Sequence, residues 1–480
     1  MSATALSAPP SPRTLDPRRW YALCLLCLAF FVIVLGSTTV FTAGPSLGRA
    51  LGLTQAGLQW SFTAATLPAG ALLLVGGRFA DLFGRRRMFM LGLALLALAS
   101  LGCGLAPSAA VLIAARAAQG ASAALLMPAA LSLVMSTFPE GGERNKALAA
   151  WSAIGGTGAT AGLLLGGLVT AGLGWRWVFF INVPVAIVML LLCPVLVREP
   201  GRGGGSRALD LAGALTITGG LALLIYGISE VPALGWLDPR TLGAVCLSVV
   251  VIAAFIRIES RARSPMLPLR LLRARTAVAG NLVLLTAGVT VDGLLFILTL
   301  YTQRVLGYSA VTFGLITAIM TVSSVGAAYL AQRAIGRLGA RPVARSGLGM
   351  LVLTCLGFAA ASAGGGSLLA LAACMLLFGL GMGCAYVAGT VASLEGVPEQ
   401  DSGIAAGVQN ISFSLGTTLG VAALSTIAAA ASGHVLSWPG TGHLAALAGG
   451  YRAAFIGGAL LAALGLAATF AGYHHDESRD

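Results

Sequence analysis

Stretches of about 20 apolar residues, long enough to cross a lipid bilayer as a helix, recur along nearly the whole chain. Fourteen can be drawn, at 20–43, 58–77, 88–106, 109–135, 147–171, 177–197, 209–229, 240–256, 277–300, 310–331, 343–363, 367–390, 403–430 and 452–473. A polypeptide built this way must satisfy its backbone inside helices, because lipid offers no hydrogen-bonding partners. The expected fold class is therefore an all-α polytopic membrane protein. Composition agrees: 9% of residues are charged, against about 25% in soluble globular domains. The 65 glycines suit close helix approach in lipid.

A formal charge of +13 would suggest nucleic acid in a soluble protein. Here position explains it. With both termini cytoplasmic, 23 of the 29 basic residues fall in inner loops or tails, and Arg49, Arg176, Arg240, Arg304 and Arg452 fall outside. That asymmetry sets orientation and attracts anionic lipid heads, so no nucleic-acid partner is expected. The eight cysteines all lie in apolar runs, including the Cys24–Cys27 pair, and read as small apolar fillers. His434, His443, His474 and His475 lie in an outer loop and the C-terminal tail, so no metal site or cofactor is expected.

Two charges remain inside the spans, Arg116 and Asp292. Such groups are costly in lipid, face a cavity or partner, and mark ion or substrate pathways. By helix rise both sit roughly 10 Å from the outer surface. Asp292 is the candidate proton carrier, and Arg116 or a cationic solute the candidate partner of its ionised form. Ser37, Thr38, Thr39, Gln119, Phe296 and Tyr386 are candidate substrate-cavity residues; Phe296 lies one turn from Asp292.

The turn between the second and third spans reads Gly77-Arg78-Phe79-Ala80-Asp81-Leu82-Phe83-Gly84-Arg85-Arg86-Arg87. It resembles the G-x-x-x-D-x-x-G-R-(R/K) loop of the major facilitator superfamily. Gly77, Asp81, Gly84, Arg85 and Arg86 then form a candidate conformational-switch loop. A fainter echo, Arg333 to Arg341, lies 255 residues later and aligns Gly84 with Gly339. Parallel repeats of that kind build two-bundle transporters. Arg116 with Gln119-Gly120 is similar to the family's R-x-x-q-G signature, whose arginine is associated with proton transfer. Gly158, Gly162, Gly166 and Gly167 resemble its g-x-x-x-G-P-x-x-G-G motif and lay a smooth packing stripe, but Leu163 stands where the family has proline. The segment Leu35 to Pro45 looks like L-D-x-T-x-V-N-x-A-L-P, with Gly36 in place of the acid and Phe41 in place of asparagine.

The resemblance implies a cytoplasmic tail at 1–19, a six-helix bundle at 20–197, a linker with two additional spans at 198–276, a second six-helix bundle at 277–473 and a tail at 474–480. Fourteen spans match the drug:proton antiporter branch. The implied function is export of small amphipathic drugs or secondary metabolites across the cytoplasmic membrane in exchange for protons. The implied partners are that solute, protons and the bilayer, with a monomer as the working unit. Gly36 and Leu163 keep open proton-coupled uptake of a polar nutrient. A non-transporting protein of the same fold is a further alternative. An enzyme is not expected: no clustered acids, histidines or paired nucleophile and base occur in the spans.

Overall fold

A computed structural model describes residues 18–138, 142–199, 211–235, 237–261, 274–395, 402–436 and 442–473. Residues 1–17 of the expected tail at 1–19 and the tail at 474–480 lie outside these residues, as do the side chains of Asp81 and of the four histidines, while Arg19 already belongs to the first helix. Sixteen α-helices make up the described chain. The first eight are α1 (Arg19–Leu51), α2 (Gln55–Ala71), α3 (Leu73–Phe83), α4 (Arg85–Leu105), α5 (Ala109–Thr137), α6 (Gly142–Gly172), α7 (Trp177–Phe180) and α8 (Asn182–Leu196). The remainder are α9 (Leu211–Leu234), α10 (Pro239–Glu259), α11 (Arg275–Leu300), α12 (Ala310–Leu338), α13 (Ala340–Ala363), α14 (Leu368–Leu394), α15 (Ser402–Leu436) and α16 (His443–Tyr473). Residues Tyr301–Val305 continue α11 as a π-turn.

Twelve of these segments are long and apolar enough to cross a membrane. Two of the fourteen expected spans fall outside that count for local reasons. At 58–77 the chain divides at Leu72 into helices of 17 and 11 residues. At 147–171 the described apolar stretch is the short piece Ala161–Gly172.

Helix starts follow capping chemistry. Thr54, Ser108, Ser309 and Ser367 each accept a hydrogen bond from the backbone N–H three residues on, satisfying a donor the helix leaves free. Glycine makes two sharp joints. Gly84 (φ 106°) links α3 to α4, and Gly339 (φ 81°) links α12 to α13. Other residue types rarely adopt that backbone.

Those joints are 255 residues apart, and the offset extends to whole helices. Gln55 and Ala310 open α2 and α12, Arg85 and Ala340 open α4 and α13, and each pair differs by 255. Packing repeats as well: α1 lies on α6 as α11 lies on α15, α2 on α5 as α12 on α14, α4 on α5 as α13 on α14, and α4 on α8 as α13 on α16. The described chain is thus two structurally equivalent helical bundles, with the α9–α10 pair between them in sequence. The bundles meet through two related seams, α6 against α12 and α2 against α15.

Glycines set how closely helices approach. A Cβ on Gly162 would stand 2.9 Å from the Leu35 carbonyl, and one on Gly166 2.9 Å from Thr39 Cα, so α6 lies directly on α1. Gly158 continues that stripe at 3.3 Å from the Phe31 carbonyl, whereas Gly167 faces Ala310 of α12, across the seam. In the second bundle a Cβ on Gly293 of α11 would meet the Gly420 carbonyl carbon of α15 at 2.7 Å.

Candidate functional site: a polar girdle below an aromatic plug

Where the bundles meet, three phenylalanines close the space between them. Phe62 of α2 stacks on Phe41 of α1, with centroids 4.7 Å apart, and meets Phe296 of α11 edge-on at 5.2 Å. All three are buried. The 255-residue offset relates Phe41 to Phe296, so equivalent positions of both bundles supply two of the rings.

One turn from each ring, toward the arginine-rich turn at 84–87, stands a polar residue: Ser37 on α1, Thr66 on α2 and Asp292 on α11. Ser37 is exposed, while Thr66 and Asp292 are partly exposed. The Thr66 hydroxyl lies 3.4 Å from that of Thr418 on α15, which joins the bundles at this level. Ser37 and Asp292 are again related by the 255-residue offset. Among the described residues no ion pair or hydrogen bond engages the Asp292 carboxylate, although solvent reaches it. A carboxylate so placed is free to meet a proton or a cationic solute.

Beyond the plug, away from the arginine-rich turn, the bundles are joined further. Gln303, in the π-turn, donates to the Thr42 carbonyl at 3.4 Å. A Cβ on Gly314 of α12 would lie 2.8 Å from the Leu163 carbonyl of α6. Beyond the plug the bundles are thus held together at two further points.

Arg116 occupies a different environment from the one the sequence suggests. It is 3% exposed. Its Nε donates to the Ser61 carbonyl of α2 at 2.9 Å, and Nη1 donates to Gln119 Oε1 at 2.8 Å. Gln119 Nε2 in turn donates to Ser100 Oγ of α4 at 2.9 Å. Arg116 and Gln119 thus bind α2, α4 and α5 together, and no ion pair joins Arg116 to Asp292. Gln119 is buried and bonded at both its oxygen and its nitrogen here, and does not stand among the exposed residues.

The other cavity candidates divide likewise. Thr38 and Thr39 hydrogen-bond their own helix and pack beside Gly162 and Gly166 of α6. Phe296 belongs to the plug. Ser37 and Tyr386 are the exposed members; Tyr386 stands edge-on to Phe413 at 5.5 Å. Sequence reading missed Phe62, Thr66 and Thr418 because their significance lies in contacts across the seam, which no local spacing displays. Phe41 was visible only as a departure from the motif.

At the arginine-rich turn, Arg86 N–H donates to Glu199 Oε1 at 3.3 Å and Arg86 Nη1 to the Val197 carbonyl at 3.2 Å. Arg85 Nη1 reaches the Ser132 carbonyl at 3.4 Å. Gly77 faces Pro128 of α5. The turn is thereby held to the ends of α5 and α8. Glu199, which receives the free N–H of α4, is a second residue the sequence did not single out.

The pattern of the Major Facilitator Superfamily matches residues 26–421. The puromycin resistance protein pur8 of Streptomyces alboniger is 38% identical over 440 residues, covering 90% of this chain and 86% of that protein. The cephamycin export protein CmcT of Amycolatopsis lactamdurans is 37% identical over 444 residues, covering 91% and 89%. Among solved structures, a bacterial homologue of the human lysosomal transporter Spinster, inward-facing and occupied, superposes with a TM-score of 0.71 at 17% identity, covering 96% of this chain and 98% of that one. A family match across both bundles, with relatives above 30% identity along most of the length, settles the assignment: the chain belongs to the Major Facilitator Superfamily, and is a multi-pass membrane transporter rather than an enzyme.

Proposed function

We propose that this transporter exports small amphipathic drugs or secondary metabolites across the cytoplasmic membrane in exchange for protons, with Asp292 carrying the proton. One observation carries the reading. The carboxylate of the spans stands unpaired and solvent-reached, one turn below a plug built from both bundles. A proton and a cationic group of the solute then compete for one site, the condition for exchange. Relatives named for puromycin resistance, cephamycin export, and tetracenomycin C resistance and export support an exporter of such compounds.

With the arginine-rich turns on the cytoplasmic side, where basic loops are retained, the end joined beyond the plug faces outward. The chamber then loads from the cytoplasm. Counting α2 with α3, and α6, as membrane crossings restores the fourteen-span layout of the drug:proton antiporter branch, with a monomer as the working unit. Ser37 and Tyr386 offer a hydroxyl and an aromatic face to the solute.

The test is transport by purified protein in liposomes under an imposed pH difference, with puromycin and the organic cation ethidium as solutes. Antiport predicts movement against the proton flow that Asp292→Asn abolishes. Wild-type rates in Asp292→Asn overturn the reading, and solute moving with the protons establishes uptake by symport instead.

A further inference from the structure

Among the described residues no ion pair engages Arg116, so its conspicuous charge needs another use. Its donors go to a backbone carbonyl and a side-chain amide. The carbonyl belongs to Ser61, the residue immediately before Phe62. One turn further along, α2 and α5 touch, since a Cβ on Gly120 would collide with the Ala65 carbonyl. Gly120 is four residues past Arg116, and Ala65 four past Ser61. The contact and the guanidinium therefore lie in line along one crossing. One turn from the point where glycine allows direct contact, Arg116 holds α2 beside the plug.

We propose that Arg116 is a positioning residue that holds Phe62 against Phe41 and Phe296, and that it neither carries the proton nor neutralises Asp292. The inference rests on the exporter reading only for what the plug serves. A guanidinium suits the task because its planar fork donates in two fixed directions at once, here to Ser61 and to Gln119. Charge strengthens both bonds where water is excluded. An ammonium group on a flexible stem lacks that fork. Phe62 is the residue so fixed, because it alone of the three rings touches both others. The three rings stand between the girdle and the Gln303–Thr42 contact beyond it, so loosening Phe62 should weaken the seal and raise the leak rather than alter which group titrates.

The test compares Arg116→Gln, Arg116→Lys, Phe62→Ala and the Arg116→Gln/Phe62→Ala double variant in liposomes. Two properties are read: proton leak without solute under an imposed pH difference, and the pH profile of ethidium transport. Expected results are a leak raised several-fold in Arg116→Gln and Phe62→Ala, with the double variant no leakier than the worse single one, since both remove one device. Arg116→Lys should leak like Arg116→Gln, and the midpoint of the pH profile should stay in place in all of them. A midpoint displaced by about one unit or more in Arg116→Gln, the mark of a lost charged neighbour, overturns the proposal. So do additive leaks, or full rescue by lysine.

If Arg116→Gln does not fold, Gln119→Met removes one anchor of the guanidinium while keeping its charge, and the same outcomes apply. Ethidium counterflow at equal pH requires no proton coupling. Non-additivity of the Arg116 and Phe62 variants can therefore be read there even if proton exchange itself fails.

Discussion

Ser37 and Asp292 occupy the same place in two equivalent bundles, each one turn below its phenylalanine and 255 residues from its counterpart. One ends in a hydroxyl hydrogen-bonded to its own helix, the other in an unpaired carboxylate. Arg116 shows the opposite asymmetry: its counterpart, Leu371 of α14, is a buried apolar residue. The first bundle thus holds a cation consumed by structure, and the second an anion left free. Repetition supplies the scaffold twice, and each copy is specialised at one position. On the proposed exchange, protonation would be lodged in one bundle while the other bundle supports the plug.

The largest expected effect separates the two girdle positions. Asp292→Asn should lower pH-driven ethidium transport by about two orders of magnitude, the scale on which loss of a proton-transferring group acts. Ser37→Ala should leave the rate within about twofold, as for a single neutral hydrogen bond. Comparable losses at both positions would break the asymmetry. Exchanging the two, as Asp292→Ser with Ser37→Asp, should recover part of the lost drive if equivalence of place is what matters. Rates no better than Asp292→Ser alone would show that the surroundings of α11 matter too.

Packing gives a second contrast. Gly293→Leu forces a side chain where even a Cβ would stand 2.7 Å from Gly420 of α15, and overpacking of this kind costs about 1–3 kcal/mol or more. Gly158→Leu meets atoms at 3.3 Å and beyond, at a roomier point of the α1–α6 contact, and should cost less. Thermal denaturation of the purified variants in detergent checks the order. The smallest effect is expected at the linker pair: Trp60→Phe removes the 3.0 Å bond to Glu230 of α9. It should cost about 1 kcal/mol in the same assay, the typical net value of one hydrogen bond.

Much of this was readable from the chain itself. Apolar run lengths showed a helical membrane protein, the basic turns marked one end of the bundle, and the echo of Gly84 in Gly339 announced the repeat. Asp292 stood out because a carboxylate in a span needs a reason. What escaped reading depended on the meeting of distant helices. Arg116 has the same intramembrane depth whether it faces a chamber or Ser61, so its partner lay outside sequence logic. Phe62 is one aromatic residue among many until Phe41 and Phe296 close on it. Thr38 and Thr39 look like polar cavity wall, but the α6 glycines turn that face of α1 inward.

Proton count on solute binding bears most directly on the role given to Asp292. When ethidium is added to purified protein in weakly buffered detergent solution near neutral pH, the wild type should release protons into the medium. Asp292→Asn should bind without release. Equal release by both proteins would contradict the account.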